Sequence, residues 1–280
     1  MIISFSPVFV KLAHVGPSMA GAYRNLFGGL ILIAIALINK ERLWRGWKPI
    51  CWAILCGLIF AFDLTLWHKS VHYIGPGLST LLGNLQVIIL TGFGIAVLKE
   101  KLTIRFIVSV PIALIGMVLI FIWQWDQLDI VYKTGIILGL TTAFSYAGFT
   151  LTLRRSQTIE NALSPVVNLV FVSFAAAVFM AIIGYTQDES FIIPDKQSWL
   201  SLIAYGILCQ AAAWFLISKS LPKVAVSLAG LILLLQPILA FAWDILFFDR
   251  PTRAVEIIGA VMALIAIYLG ITSRQEKQHD

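Results

Sequence analysis

Charge is what this chain has least of. Only 12% of its 280 residues are Asp, Glu, Lys or Arg, where a water-soluble domain carries about a quarter. It is 60% hydrophobic, with a mean hydropathy of +0.93, which excludes an ordinary soluble domain. Cysteine is scarce too. Cys51, Cys56 and Cys209 lie in apolar stretches without CxxC spacing, which argues against a disulfide framework and a thiolate metal site. The chain has no phosphate-binding glycine loop, no HExxH and no nucleophile elbow, so nothing marks it as an enzyme. A membrane-embedded enzyme would need a carboxylate pair or a Ser/His pair at one depth, and Asp63 with His68 is the sole weak candidate. Met1 runs into an apolar segment with no basic leader, so no cleavable signal is expected.

What is present is a series of apolar blocks, near residues 1–13, 17–39, 49–71, 74–97, 104–123, 134–153, 163–185, 198–218, 223–247 and 254–273. About 20 apolar residues cross a bilayer as a helix. In lipid every backbone polar group must bond internally, and the alternating pattern of a barrel is missing. The expected fold is therefore an all-α integral membrane protein with ten transmembrane helices.

The net charge of +6 suggests nucleic acid, but its placement excludes that. With a cytoplasmic N-terminus, thirteen Lys and Arg fall in inside loops and six in outside loops, with Arg24 inside a span. Lys40, Arg42, Arg45, Lys99, Lys101 and Arg105 carry most of the bias, while Arg250 and Arg253 run against it. This favours both termini in the cytoplasm, and the compact loops suggest a bacterial inner membrane.

The chain also repeats. "HKSVHYIGPGLSTLL" from His68 is echoed by "SKSLPKVAVSLAGLI" from Ser218, and "LKEKLT" from Leu98 by "FFDRPT" from Phe247. Pro17 and Pro165 each open a span. Two repeats are expected, 1–129 and 130–280, the second ending in a short cytoplasmic tail. Five spans per repeat is an odd number, so the second copy enters the membrane from the opposite side. Inverted repeats are an architecture of secondary transporters.

With the acidic turn Lys99–Glu100–Lys101–Leu102–Thr103, its partner Asp249–Arg250–Pro251–Thr252 and "GPSMAGAYRNLFGGL" from Gly16, the chain resembles EamA-type members of the drug/metabolite transporter superfamily. The resemblance implies a ten-helix carrier, usually an exporter of amino acids or other small metabolites, without ATPase or bound cofactor. It leaves open proton coupling and monomer or homodimer. The alternatives are a transporter of a lipid or a nucleotide or sugar conjugate, and a membrane-embedded enzyme. The first block spans roughly 20 Å, short of a ~30 Å hydrocarbon core, so an earlier native start is expected.

Polar groups inside apolar spans are the functional candidates. Arg24 and Asp63 lie roughly 10–12 Å below the outer surface by helix rise, which makes them natural partners as a gate or ion pair. Alternatively, Asp63 takes a substrate amine or a proton, and Arg24 takes a carboxylate. Trp67, one turn from Asp63, suits an ammonium group through its ring face or simply anchors the helix at the interface. Gln210 and Trp214 repeat that polar-plus-indole spacing. Gln86 and Gln236 are 150 residues apart, near the middle of matching spans, with Asn84 close by and Pro237 following. Midplane polar groups in both halves point to a site at the repeat interface, or to interhelical hydrogen bonds worth about 1 kcal/mol. Asn168 offers one more hydrogen bond. His68 and His72 share a helix face but lack further ligands for zinc, so no metal is expected. Glu256 has Arg253 three residues before it, a structural pairing.

Overall fold

A computed structural model of the chain describes residues 2–74, 76–121, 130–249 and 251–275, with no strand among them. Gly75, Arg250 and the tail from Glu276 lie outside these residues, as do the side chains of Asp244 and Arg274. The helices are α1 (Ser6–Leu12), α2 (Pro17–Ile38), α3 (Trp47–Ile74), α4 (Pro76–Asn84), α5 (Gln86–Ala96), α6 (Ile104–Phe121), α7 (Ile130–Ser156), α8 (Pro165–Thr186), α9 (Lys196–Ala204), α10 (Trp214–Ser220), α11 (Val226–Leu233), α12 (Leu235–Phe248) and α13 (Ala254–Gln275). A π-helical segment, Tyr205–Ala213, joins α9 to α10. Eight stretches of the described residues are long and apolar enough to cross a membrane, and two apolar helices, Ile2–Leu12 and Ile104–Ile120, are shorter.

The repeat is visible in backbone geometry as well as in sequence. Pro17 and Pro165 each occupy the first position of a helix, where proline's missing N–H costs nothing. Lys40 (φ 52°) follows α2 and Asp188 (φ 54°) follows α8; Lys99 (φ 53°) and Asp249 (φ 48°) follow α5 and α12. A left-handed residue after a helix lets the next N–H return to a carbonyl of the last turn. Glu41 bonds Ala36 O and Glu189 bonds Gly184 O in this way, at 2.9 Å each. The spans made by α4–α5 and α11–α12 are both interrupted, at Leu85 and Leu234. Each interruption is one tightened turn: Leu85 N bonds Leu82 O at 3.1 Å and Leu234 N bonds Leu231 O at 3.2 Å. Pro237 accounts for the second, because it cannot donate to Leu233 O, where α11 stops.

Two glutamates cap helices of the opposite half. Glu100 accepts from Val226 N (2.8 Å) and from the Ser227 hydroxyl (2.5 Å) at the start of α11. Glu189 accepts from Ser18 N (3.2 Å) and Met19 N (2.9 Å) at the start of α2. Carboxylates satisfy the orphan N–H groups there and oppose the positive helix end. The acidic turn that carries the family resemblance is thus a helix cap. Glu100→Ala should lower stability by about 1–2 kcal/mol, read as melting temperature in detergent; an unchanged midpoint would show that the cap contributes nothing. Glu256 closes a capping box by accepting from Arg253 N at 2.7 Å, in keeping with a structural reading.

The chain divides into two compact units, Ser70–Ala147 with Val224–Asp280 and Ile2–Lys69 with Gly148–Lys223. Each takes helices from both sequence halves. In the first, α6 packs on α13 around Phe106, Val110, Met117, Ala263 and Ile267. A Cβ on Gly116 would lie 2.5 Å from Gly259 O, and one on Gly259 would lie 2.5 Å from Gly116 O, so the two backbones touch. In the second, α2 packs on α8 and on the π-helical segment. Small residues permit such close crossings in lipid.

Candidate substrate-binding site

The second unit gathers most of the polar groups that the spans contain. Arg24 is 3% exposed. Its Nε donates to Gln210 Oε1 at 3.1 Å and its Nη1 to the Tyr205 hydroxyl at 2.9 Å. Its guanidinium carbon stands 4.7 Å from the Tyr205 ring centroid and 5.2 Å from that of Phe60, within cation–π range. Gln210 passes the chain on, donating from Nε2 to Ser173 Oγ at 2.9 Å. Arg24 on α2, Gln210 on the π-helical segment and Ser173 on α8 therefore form one buried network.

Tyr205 and Gln210 converge on Arg24 because the backbone between them is π-helical. In an α-helix, residues five apart point about 140° away from each other. With i→i+5 bonding the turn is wider and that angle is much smaller, so both side chains reach one face. The segment also presses against α2. A Cβ on Gly206 would sit 2.8 Å from Gly28 N and 3.1 Å from Arg24 O, and one on Gly28 would sit 2.9 Å from Gly206 O. Depth alone suggests Asp63 as a partner of Arg24; the guanidinium also hydrogen-bonds to Gln210 and Tyr205.

An aromatic wall adjoins the network. Phe60 stacks on Phe149 at 4.3 Å, and Trp214 meets Phe149 edge-on at 4.7 Å and Phe60 at 5.5 Å. Trp214 is only 2% exposed, so it is a buried wall rather than an interface anchor. On α3, Asp63 follows Phe60 by three residues and is buried, and Trp67 is half-buried with its ring 5.0 Å from that of His68. Asn168 belongs to a different place, near the start of α8, where its Nδ2 donates to Ser156 Oγ at 3.1 Å and ties α8 to the end of α7.

The first unit holds Asn84, Gln86 and Gln236. Gln86 opens α5 directly after the Leu85 interruption and is fully buried, with neither amide atom bonded among the described residues. Gln236, second in α12, donates to the Tyr146 hydroxyl at 2.8 Å. Asn84 donates back to Thr80 O at 2.8 Å. In the same unit a groove of about 840 Å³ runs between α6 and α13, lined by Ile104, Val108, Ile258, Val261, Ile265 and Leu269 among others. Its walls are nearly all aliphatic and several are exposed. They suit acyl chains, and none of the candidate residues lines it.

At one end of the second unit, Asp195 caps α9 by accepting from Ser198 N (2.8 Å) and faces His14 Nδ1 at 2.8 Å. The Ser198 N–H, and then the His14 ring, hold its carboxyl below the ordinary 3.8. A lowered folded-state value means that this group stabilises the fold above its unfolded pKa and loses that contribution as pH falls through the folded value. The melting temperature of the native chain should therefore drop, relative to Asp195→Asn, on acidification below about pH 4. Parallel curves would remove Asp195 as an acid-sensitive contact.

The comparisons with known proteins agree with this architecture. The EamA-like transporter family matches residues 1–122 and again 133–272. The chain belongs to that family. Among curated relatives it is 24% identical over 266 residues to the uncharacterized transporter YwfM of Bacillus subtilis (strain 168), covering 93% of this chain and 86% of YwfM. It is also 24% identical over 254 residues to the uncharacterized transporter YxxF of that strain, covering 90% and 79%. A solved crystal structure 17% identical superposes with a TM-score of 0.80, covering 96% of this chain and 93% of that one, so the fold is shared. A multi-pass membrane transporter with two EamA repeats is the resulting assignment.

Proposed function

We propose that the chain is a secondary or exchange transporter that exports amino acids, amines or related small metabolites across a bacterial inner membrane, with both termini in the cytoplasm. The observation that carries this reading is the buried network on Arg24 in the middle of an apolar unit. Burying a guanidinium costs several kcal/mol, and function gives a reason to retain it. Asp63 is the handle for a cationic group, and Phe60, Phe149 and Trp214 form the wall for the solute's carbon skeleton. Trp67 and Gln210 supply polar lining there, and Gln86 and Gln236 are candidate polar positions of the first unit, considered by itself. Arg24 gates the site or takes a carboxylate. The matching interruptions at Leu85 and Leu234 support an inverted-repeat carrier, since such carriers have interrupted helices in corresponding positions of their two halves. The two family matches support repeats at 1–129 and 130–280. Cells overproducing the protein should release at least one amino acid or amine faster than control cells, by mass spectrometry of the medium. Identical media would oppose export.

A further inference from the structure

We infer that the groove between α6 and α13 holds a phospholipid with a net anionic headgroup, its acyl chain along the groove and its phosphate at the end marked by Arg105 and Lys101. This goes beyond the transport reading and does not depend on the Arg24 site.

The groove follows from how closely the two helices cross. A Cβ on Gly116 would lie 2.5 Å from Gly259 O, and one on Gly270 would lie 2.4 Å from Ser109 Oγ. Backbones this near leave the larger side chains standing on either side of a small-residue floor. Ser109 and Ala266 in the lining are buried, while Val108 on one rim and Val261 and Ile265 on the other are about half exposed. The Ser109 hydroxyl donates to Phe106 O at 2.7 Å, so the floor suits a hydrocarbon chain rather than a polar solute. From Ile104 to Ile112 the groove runs roughly 12 Å along α6, and from Ile257 to Leu269 roughly 18 Å along α13, by helix rise. One leaflet of a ~30 Å hydrocarbon core is roughly 15 Å deep. The groove therefore has the length of an acyl chain, whereas a spanning helix from a second copy would need a seam about twice as long.

Aliphatic walls alone would accept any lipid; the charge at one end selects. Arg105 lines the groove beside Ile104, and Lys99 and Lys101 are exposed in the turn just before it. The one carboxylate in that run, Glu100, faces α11 and accepts from Val226 N and the Ser227 hydroxyl. The far end, at Ile257 and Ile258, is aliphatic. Basic residues beside membrane helices attract anionic headgroups, whereas a zwitterionic headgroup carries its own compensating cation. In the proposed topology this end faces the cytoplasm.

The test counts bound lipid by native mass spectrometry on the purified, delipidated full chain, offered dioleoyl phosphatidylglycerol or dioleoyl phosphatidylcholine at matched ionic strength. One phosphatidylglycerol should be retained per chain, and phosphatidylcholine, with the same acyl chains, should bind more weakly. Lys101→Gln combined with Arg105→Gln should weaken phosphatidylglycerol binding about thirtyfold, from about fivefold per basic residue near the headgroup. Val261→Trp fills the groove from its rim and should abolish retention. Equal retention of the two lipids by the native chain, or unchanged phosphatidylglycerol binding in the charge variant, would overturn the headgroup assignment. Full retention in a folded Val261→Trp protein would place the lipid elsewhere and overturn the groove. A native dimer that binds no phosphatidylglycerol and that Val261→Trp dissociates would make a second copy the occupant, and would overturn the proposal too. The charge variant changes only exposed residues, so it tests the headgroup even where a filled groove fails to fold.

Discussion

Gly206→Val should yield no stable protein, while Gly148→Ala should pass unnoticed. At Gly206 an added Cβ would lie 2.7 Å from Phe27 Cβ, 2.8 Å from Gly28 N and 3.1 Å from Arg24 O. Two of these neighbours are backbone atoms that no rotamer change can move aside. The strain is relieved only by prising α2 off the π-helical segment. Overpacking costs about 1–3 kcal/mol where side chains can adjust, so a clash against backbone should exceed about 3 kcal/mol. It should also disturb the Arg24 bonds to Tyr205 and Gln210, because the helices carrying them would separate. At Gly148 the nearest atom to an added Cβ is Ile59 Cγ2, at 3.8 Å, an ordinary contact. Melting temperature and size-exclusion profile in detergent read both variants. A Gly206→Val protein as stable as the native chain would contradict the close crossing on which the site is built.

Asp63→Asn should abolish transport without harming the fold. The substitution keeps the shape of a buried side chain on α3 and removes only its charge. Placing a neutral group in a membrane-embedded helix costs less than placing a carboxylate, so expression and melting temperature should hold. Removing one partner of a buried, charge-assisted contact typically costs 2–5 kcal/mol. If Asp63 meets a cationic group of the solute, a loss of about 3 kcal/mol weakens binding about a hundredfold. Glu256→Gln is the matching control. Glu256 is buried too, and its carboxylate accepts from Arg253 N at the start of α13, so flux should not change there. Equal flux in native and Asp63→Asn proteins would remove Asp63 from the site.

The elements forced by the bilayer are legible in the amino-acid order. Apolar length marks the spans, Pro17 and Pro165 mark helix starts, and the echoes around His68 and Ser218 expose the repeat. What stays hidden depends on distant partners or on backbone form. Glu100 and Glu189 cap helices that begin 126 and 171 residues away, and nothing local announces such a pairing. The partners of Arg24 escape a count of depth on regular α-helices. The π-helical segment Tyr205–Ala213 has no residue signature, yet it sets Tyr205 beside Gln210. Gln86 and Gln236 fall near midspan by sequence, but their position just after an interruption is half legible at most. Pro237 signals the break at Leu234, whereas Val87 gives no such sign for Leu85. Trp214 is readable as a buried aromatic, while its partners Phe60 and Phe149 are not, since they come from two other helices.

The central claim is that this protein carries a small solute across the membrane through the Arg24 unit. Counterflow in proteoliposomes tests it most directly, with purified protein and a pooled panel of labelled amino acids and amines. The account predicts that at least one compound accumulates transiently against its own gradient, and that the accumulation is lost in Asp63→Asn. No accumulation of any compound by folded, correctly inserted protein would contradict it.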